Sequence, residues 1–319
     1  MHIGIITPGG DAPGMNAAIR AVVRLGVAQG YQMTGINLGY SGLLLNNLIP
    51  LSKRSVSGII NIGGTILKSS RCLEIRTDKG IKKASSVLKS NKIDYLVVIG
   101  GDGTLTAANK ISRESGIPVI GIPASIDNDV YGTEETIGFD TAIDTANDAI
   151  DKIRDTAISF DRIFIVEVMG REHGFLALNI AMASGAEFAF IPEQKQDINT
   201  VCKNLKKMQE SGKKSIIIIF AEGAGDVNKT AKQIEHKTGS SVRVSSLGYI
   251  QRGGSPSARS RVLGTQFGNH AIGLIAKGKK NRVVVTTGCE ITDIDINEVI
   301  NNEKKIDLSQ LVIIKNVAI

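Results

Sequence analysis

Short apolar runs rich in β-branched residues alternate along the whole chain with stretches that have the periodicity of amphipathic helices. Six of these runs predict buried strands, because each is followed by glycine or by a polar turn. They span residues 3–7, 95–99, 118–122, 163–168, 215–220 and 282–287. Apolar residues also recur at helical spacing from Ala142 to Ile153, which is the stripe of a helix packed on one side. Continuous apolar strands separated by helices predict an α/β fold whose parallel sheet is covered on both faces.

The length of the chain and its lack of linkers bear on the domain organisation. A chain of 319 residues is consistent with about two domains or with one large α/β domain. It has seven prolines and no Pro- or Ser-rich linker, so a domain boundary has to lie in a turn. The best candidate is the turn Gly138-Phe139-Asp140, just before the amphipathic helix.

The composition argues against several classes of protein. Apolar residues make up 42% of the chain, which is enough for a sizeable core and argues against disorder. No apolar run approaches the roughly 20 residues that span a bilayer, and the first residues lack the basic region and cleavage site of a signal peptide. Cys72, Cys202 and Cys289 are scattered, which excludes a disulfide framework and the familiar zinc patterns and favours a reducing cytoplasm.

The net charge of +7, with a pI of about 9.2, is the one unusual number. A solvated lysine-rich surface, small anionic ligands and nucleic acid are all compatible with it. The basic residues are spread along the chain, aromatic residues make up 4% and Trp is absent, so stacking platforms for single strands are scarce. The charge therefore favours a solvated surface or small anionic ligands over nucleic acid.

Two of the predicted strands end in the triplet Gly-Gly-Asp, at residues 9–11 and 100–102. Ligands of doubly wound sheets lie beyond the carboxyl ends of the strands, and glycines let the backbone approach an anion closely. The carboxylate of Asp102 among glycines is the kind of oxygen ligand that Mg²⁺ prefers. The first loop has neither the Walker A spacing nor that of a dinucleotide fingerprint. Plain tight turns, with Asp102 capping a helix, are the alternative.

A third polar segment, Ser125-Ile126-Asp127-Asn128-Asp129, follows the strand predicted at 118–122. Two carboxylates this close either repel each other or share a cation or a positive neighbour. The arrangement suits a general base beside a metal site. A polar turn rich in Asp and Asn is the alternative.

Arginines carry more information than histidines in this sequence. The four histidines lie far apart, and no Ser or Cys stands in a nucleophile elbow. Guanidinium groups bind phosphate oxygens in a bidentate manner and stabilise phosphoryl-transfer transition states. Each arginine alone is explained as a surface cation, but five of them lie at the ends of predicted strands or beside glycine turns. These are Arg71, Arg162, Arg171, Arg243 and Arg252.

Taken together, these motifs resemble bacterial 6-phosphofructokinase over nearly the whole chain. The matching segments are Gly-Gly-Asp-x-Pro-Gly-x-Asn-x-x-Ile-Arg at 9–20, Gly-Gly-Asp-Gly-Thr at 100–104, Ile-Asp-Asn-Asp at 126–129, Gly-Phe-Asp-Thr-Ala at 138–142, Met-Gly-Arg at 169–171 and Gln-Arg-Gly-Gly-Ser-Pro at 251–256. The resemblance implies two doubly wound α/β domains with mainly parallel sheets. Residues 1–138 with 252–305 would form a nucleotide-binding domain, and 139–251 with 306–319 a sugar-phosphate-binding domain.

The resemblance also implies a glycolytic, cytoplasmic kinase that transfers the γ-phosphoryl group of MgATP to the 1-hydroxyl of fructose 6-phosphate. Asp127 would be the base, Asp129 a supporting carboxylate, and Asp102 the Mg²⁺ ligand, while Ser125 and Arg171 face the transferred phosphoryl group. The implied ATP contacts are Gly10, Arg71, Cys72, Gly101, Asp102, Gly103 and Thr104. The implied substrate contacts are Ser125, Asp127, Arg162, Met169, Gly170, Arg171, Glu222, Arg243, Tyr249 and Arg252.

Assembly and regulation are implied in the same way. Arg162 and Arg243 would reach the site of a neighbouring subunit, which requires a homotetramer. An effector pocket for ADP and phosphoenolpyruvate would be formed by Arg20, Arg24, Arg154, Gly185, Glu187, Lys213 and Lys214. Ser211, Ser215, Tyr249 and Ser260 depart from the residues usual in the family.

The choice of phosphoryl donor depends on two small residues. Pyrophosphate-using members resemble Gly-Gly-Asp-Asp and Pro-Lys-Thr-Ile-Asp-Asn-Asp, whereas this chain has Gly103 and Ala124 at the diagnostic positions, which favours ATP.

Two rival hypotheses stay open: another sugar-phosphate or nucleotide kinase, and a non-catalytic protein that senses nucleotides or binds nucleic acid. NAD and lipid kinases share Gly-Gly-Asp-Gly-Thr but lack the segments at 126–129 and 251–256.

Overall fold

The computed structural model describes residues 1–318. Its strands are β1 (His2–Ile6), β2 (Gln32–Ile36), β3 (Leu48–Leu51), β4 (Tyr95–Gly100), β5 (Val119–Pro123), β6 (Ile163–Val168), β7 (Phe188–Phe190), β8 (Ile216–Ala221), β9 (Val242–Ser246), β10 (Arg282–Thr287) and β11 (Glu290–Asp295). Its α-helices are α1 (Met15–Ala28), α2 (Gly39–Leu44), α3 (Asp78–Ser90), α4 (Asp102–Ser115), α5 (Phe139–Phe160), α6 (Phe175–Ser184), α7 (Ile198–Glu210), α8 (Val227–Thr238), α9 (Ala258–Ala276), α10 (Ile296–Ile300) and α11 (Ser309–Val317).

The predicted α/β fold with mainly parallel sheets is confirmed. All six strands predicted from apolar runs are present, as β1, β4, β5, β6, β8 and β10, with ends that agree to within one residue. The amphipathic stripe that begins at Ala142 belongs to α5, a helix of 22 residues. Three short 3₁₀ turns lie at Glu74–Arg76, Glu222–Ala224 and Gly248–Arg252.

The chain forms two compact units, and it passes between them three times. The first unit consists of Met1–Thr141 and Arg252–Lys304, and the second of Ala142–Gln251 with the residues from Lys305 onward. Each unit contains its own sheet, so each has its own core.

The sheet of the first unit has seven strands in the order β11-β10-β5-β4-β1-β2-β3. Its five inner strands are parallel, and the edge strands β3 and β11 are antiparallel to their neighbours. Every residue of the central β4 is buried, as expected for a strand covered on both faces. On one face, Leu96 and Val98 pack in a cluster with Ala84 and Leu88 of α3 and Ile111 of α4. Because β5, β4 and β1 are neighbouring parallel strands, their carboxyl ends lie side by side at the same end of the sheet.

The sheet of the second unit has four parallel strands in the order β7-β8-β6-β9. Ile163 at the start of β6 is aligned with Ile216 of β8 on one side and with Val242 of β9 on the other. All six residues of β8 are buried, and α7 and α8 contribute Leu205 and Ile234 to the core. Among the described residues, no helix is both long and apolar enough to cross a membrane.

Candidate active site

The two Gly-Gly-Asp loops of the first unit are joined to each other. The hydroxyl of Thr104, in the first turn of α4, donates to the carbonyl of Pro8 at 3.0 Å. Gly9 has a φ of +89°, and a β-carbon there would come within 2.9 Å of the Thr104 hydroxyl oxygen. The hydroxyl of Ser69 donates to the Gly9 carbonyl at 2.5 Å. These contacts place the loops that follow β1 and β4 next to each other.

Arg252 joins the first glycine loop from far along the chain. Its Nη2 atom donates to Oδ1 of Asp11 at 2.7 Å, and a β-carbon on Gly10 would lie 2.8 Å from the same nitrogen. Any larger residue at position 10 would displace the guanidinium group. Gly10 therefore leaves room for a cationic group beside a loop suited to bind phosphate.

The second glycine loop opens α4. Gly101 is its N-cap, and Asp102 is the exposed first residue of the helix. No atom lies within 4 Å of the position that a β-carbon on Gly103 would take. The N-terminal amides of a helix favour negative charge, so this open end suits phosphate oxygens.

Arg71 and Cys72 lie in the loop that precedes the 3₁₀ turn at Glu74–Arg76. The Arg71 side chain is exposed, and its carbonyl accepts a 3.4 Å hydrogen bond from the hydroxyl of Ser41. Cys72 is half-buried and packs against the core of the first unit. Ser69, two residues before Arg71, attaches this loop to the first glycine loop through its hydrogen bond to the Gly9 carbonyl.

The polar turn after β5 is held rigidly and lies beside the second glycine loop. A β-carbon on Gly101 would be 3.6 Å from Cβ of Ser125. The amide of Asp127 donates to the Ser125 hydroxyl at 3.1 Å, and the Thr136 hydroxyl donates to the Ser125 carbonyl at 2.5 Å. Asp127 itself is 6% exposed. A buried carboxylate on a turn next to the second glycine loop has a placement compatible with a general base.

The oxygen atoms of this region suit a magnesium ion that arrives with its phosphates. Oδ1 of Asp129 is buried and has no hydrogen-bond partner among the described residues. Those residues contain no group of three or more His, Cys, Asp and Glu side chains able to hold a metal. Mg²⁺ usually takes one or two carboxylates and completes its shell with water and substrate phosphates. Asp102 at the helix end, with Asp129 on the turn after β5, fits that kind of site and not an all-protein cage.

In the second unit, the loop after β6 is fixed by two side chains from other elements. The amide of Met169 donates to Oε1 of Gln251 at 2.9 Å, and the amide of Arg171 donates to Oε1 of Glu222 at 2.8 Å. Gly170 and Arg171 have φ values of +133° and +53°. The structure thus brings together Met169, Gly170, Arg171 and Glu222. Gln251 was not singled out from the sequence, although it lies in the motif at 251–256, and it is completely buried.

Arg162 and Arg243 lie at the other end of the same sheet. Arg162 directly precedes β6, and its guanidinium carbon lies 4.5 Å from the centre of the Phe160 ring. Arg243 is aligned with Phe164, the second residue of β6. Arg171 lies three residues beyond Val168, the last residue of β6. Six strand residues span about 17–20 Å. Within one chain, therefore, these two arginines are not brought to Arg171 and Glu222.

The effector residues suggested by the resemblance fall into three groups. Arg20 and Arg24 are one turn apart on α1 in the first unit, and Nε of Arg24 is buried without a hydrogen-bond partner among residues 1–318. In the second unit, Arg154 donates to the carbonyls of Ser184 at 2.7 Å and Gly185 at 3.3 Å.

The third group is an ion pair at the start of β7. Nζ of Lys213 lies 2.8 Å from Oε1 of Glu187, which is 1% exposed. Lys213 also donates to the carbonyl of Ala318, and the exposed Lys214 lies 3.9 Å from Asp161. Arg154 with Gly185, and Glu187 with Lys213, are thus neighbouring pairs within the second unit.

The structure shows the burial or the hydrogen bonds of three residues that depart from the family pattern. Ser260 is completely buried and accepts a 2.8 Å hydrogen bond from Thr141, which in turn accepts the amide of Ser257. A network of hydroxyl groups, in which Ser257 donates to the carboxylate of Asp140, therefore surrounds the position usual for Asp. Tyr249 lies in the 3₁₀ turn after β9 and is 72% exposed. Ser211 ends α7 and donates to the carbonyl of Met208.

The sequence is similar to known proteins along most of its length. The family described as Phosphofructokinase matches residues 2–275. The ATP-dependent 6-phosphofructokinase of Clostridioides difficile (strain 630) is 49% identical over 305 residues, which cover 96% of this chain and 95% of that protein. The ATP-dependent 6-phosphofructokinase of Halothermothrix orenii is 47% identical over 317 residues and covers 96% of both chains.

Solved structures share the fold. The Pichia pastoris phosphofructokinase in the T-state has a TM-score of 0.87 and 36% identity over 94% of this chain. The match covers 35% of that protein, so this chain spans about a third of its length. A pyrophosphate-dependent phosphofructokinase from Marinobacter aquaeolei has a TM-score of 0.86 at 21% identity, which shows the fold alone.

Proposed function

The chain belongs to the phosphofructokinase family, and from that premise we propose that it phosphorylates fructose 6-phosphate with ATP. The γ-phosphoryl group would pass to the 1-hydroxyl of the sugar and give fructose 1,6-bisphosphate and ADP. The observation that carries the proposal is the placement of Asp127. Asp127 is 6% exposed on a hydrogen-bonded turn, and Ser125 of that turn lies beside the glycine loop that opens α4.

Asp127 acts as the general base in this proposal. It accepts the proton of the 1-hydroxyl while the sugar oxygen bonds to the γ-phosphorus. The bond from that phosphorus to the bridging oxygen breaks, and ADP leaves with the oxygen. The hydrogen bond from the Asp127 amide to the Ser125 hydroxyl fixes the turn during the transfer. A positioned base contributes about 10²- to 10⁴-fold in rate, and orientation and charge neutralisation supply the rest.

Mg²⁺ is the proposed cofactor. When bound, it neutralises phosphate charge in the reactants and in the transition state. Asp102 would hold it and Asp129 would support it, since Oδ1 of Asp129 is buried and has no hydrogen-bond partner among the described residues. Gly10, Arg71, Cys72 and the loop at 101–104 are the proposed nucleotide contacts.

ATP is the proposed donor, in preference to pyrophosphate. The space around Gly103 is open within 4 Å of its would-be β-carbon, so the nucleotide can approach the helix end. Ala124 is small and 1% exposed, and it supplies no ammonium group for pyrophosphate. The curated relatives from Clostridioides difficile and Halothermothrix orenii carry the same donor in their names.

The second unit is proposed to bind the sugar phosphate. Met169, Gly170 and Glu222 would hold the sugar, and Arg171 would contact the transferred phosphoryl group. Arg162 and Arg243 lie at the opposite end of the four-stranded sheet, so they cannot join Arg171 of their own chain. We assign Arg162 and Arg243 to the 6-phosphate site of a neighbouring copy, where that copy's own Tyr249 and Arg252 bind the same phosphate. By the family resemblance we propose a homotetramer.

Regulation and location complete the proposal. ADP and phosphoenolpyruvate are the proposed effectors, and the neighbouring cations Arg154 and Lys213 would meet their phosphates. The exposed Lys214 would add a third cation. A glycolytic kinase of this kind acts in the cytoplasm.

The deciding experiment offers the purified protein fructose 6-phosphate and Mg²⁺ with either ATP or pyrophosphate, and measures fructose 1,6-bisphosphate. Product with ATP but not with pyrophosphate is expected. If neither donor gives product, the proposed function fails, and a panel of sugar phosphates and nucleosides then tests the rival kinases. DNA or RNA binding that survives about 0.2 M salt would instead favour the nucleic-acid hypothesis, because nonspecific phosphate contacts weaken steeply with salt.

A further inference from the structure

Lys304 contacts Glu134, five residues beyond the turn that carries Asp127, although 170 residues separate Lys304 from Glu134. Lys304 follows α10 and is the last residue of the first unit before the chain enters the second. Its Nζ atom donates to the carbonyl of Glu134 at 3.1 Å. Burial lowers the pKa of Lys304 to about 8, while the carboxylates of Asp129, Glu134 and Glu135 act in the opposite direction. The half-buried ammonium group thus lies within electrostatic reach of three carboxylates.

The carbonyl that Lys304 contacts also anchors the centre of the turn. Nδ2 of Asn128 donates to the Glu134 carbonyl at 3.0 Å, and Oδ1 of Asn128 accepts the amide of Thr136 at 3.0 Å. Asn128 has a φ of +55°, a conformation that is uncommon for residues other than glycine and persists where the surroundings fix it. Asn128 stands between Asp127 and Asp129, so its backbone sets the direction of both carboxylates.

The charges around Lys304 point mainly to Asp129. Glu135 pairs with Arg259 at 2.8 Å, and Oε1 of Glu134 accepts the amide of Gly288 at 2.9 Å. Of the three carboxylates, Asp129 has the largest electrostatic effect on Lys304. A lysine held in this way loses side-chain entropy and part of its hydration. The adjacent Lys305 is exposed and incurs neither loss.

We propose that Lys304 is a positioning residue for the phosphoryl transfer. Its ammonium group clamps the Glu134 carbonyl, and through it Asn128, and it balances the charge of Asp129 so that the two carboxylates keep their directions. This inference rests on the proposed kinase activity. It adds a contribution from the segment after α10, which no motif of the sequence indicated.

Three variants test the role of Lys304. Lys304→Met keeps the length of the side chain but removes its charge and its donor, Lys304→Arg restores both, and Lys305→Met is the matched control on the next residue. We expect Lys304→Met to lower kcat by about tenfold or more, since small misplacements of reacting groups cost up to about 10²-fold. The KM values for fructose 6-phosphate and ATP should stay within about threefold, because Lys304 contacts neither ligand in this scheme.

The outcomes separate a positioning role from a merely structural one. A kcat that recovers in Lys304→Arg and is normal in Lys305→Met supports the proposal. A normal kcat in Lys304→Met overturns it, even if the melting temperature falls. If Lys304→Met does not fold, Lys304→Gln, which keeps a neutral donor, takes its place, and a normal kcat there overturns the charge-balancing role. An inactive wild-type protein in the same assay would refute the proposed function, whereas an active wild type with unaffected variants refutes only this inference.

Discussion

A substitution at Gly103 can test the binding of the phosphoryl donor without disturbing the folding of the protein. Gly103 is the second residue of α4, and no atom lies within 4 Å of the position that a β-carbon would occupy there. The backbone at Gly103 is helical, so an aspartate fits without strain. Gly103→Asp therefore adds one carboxylate at the proposed phosphate-binding end of the helix and leaves the packing of the first unit intact.

The Gly103→Asp change should stabilise the helix but weaken the binding of ATP. Replacing glycine in a helix stabilises it by up to about 1 kcal/mol, and a carboxylate in the first turn adds about 0.3–1 kcal/mol. Against a phosphate, the same charge is unfavourable. At an effective dielectric constant of about 20, two like charges about 5 Å apart cost about 3 kcal/mol, equivalent to roughly 200-fold in affinity. Mg²⁺ and solvent screen part of this, so we expect the KM for ATP to rise by at least about tenfold.

The assay measures the formation of fructose 1,6-bisphosphate at varied ATP, together with thermal unfolding. Gly103→Ala is the control, because it adds a β-carbon without charge and should keep the KM for ATP within about threefold. The expected result for Gly103→Asp is an unchanged or higher melting temperature with a raised KM for ATP. An unchanged KM for ATP in Gly103→Asp would show that no phosphate lies near this helix end and would refute the reasoning.

Three further predictions follow from the site and its supports. Asp127→Asn should bind both substrates normally but lower kcat by about 10²- to 10⁴-fold, and a near-normal kcat would remove Asp127 from the role of base. Tyr40→Phe removes the buried 2.8 Å hydrogen bond to the Thr104 carbonyl and should lower the free energy of unfolding in urea by about 1–3 kcal/mol; an unchanged midpoint would contradict this. Arg162→Ala and Arg171→Ala should each be nearly inactive. If Arg162 serves a neighbouring subunit, mixing the two variants under subunit exchange should restore about a quarter of the sites, whereas no recovery would place both arginines in one chain's site.

The sequence predicted the inner strands well and the edge strands poorly, for a physical reason. The inner strands β4 and β8 are buried along their whole length, so their sequences are continuous apolar runs. The edge strands β3, β7, β9 and β11 were not predicted, and neither was the inner strand β2, whose sequence Gln-Met-Thr-Gly-Ile is not a continuous apolar run. β3 contains Pro50, β7 has only three residues, and β9 and β11 carry polar residues on exposed positions. Half-exposed strands resemble loops in composition, and their pairing partners are distant in sequence.

The candidate site shows the same limit. Local motifs identified the glycine loops and the turn at 125–129, because their chemistry lies within a few consecutive residues. Contacts between distant segments were not accessible from the pattern. Arg252 pairs with Asp11 across 241 residues, and Lys304 reaches Glu134 across 170. Only the folded sheet edge brings such residues together.

The three passages of the chain between its units also bear on the order in which the protein can fold during synthesis. The second unit is encoded largely by the uninterrupted segment Ala142–Gln251, whereas the first needs Arg252–Lys304 in addition to Met1–Thr141. Until that later segment leaves the ribosome, β5 lacks its neighbour β10, and the edge of the nascent sheet is open to other chains. We therefore expect the second unit to become protease-resistant first on the ribosome, and the first unit, although its synthesis begins earlier, to be the part most dependent on chaperones.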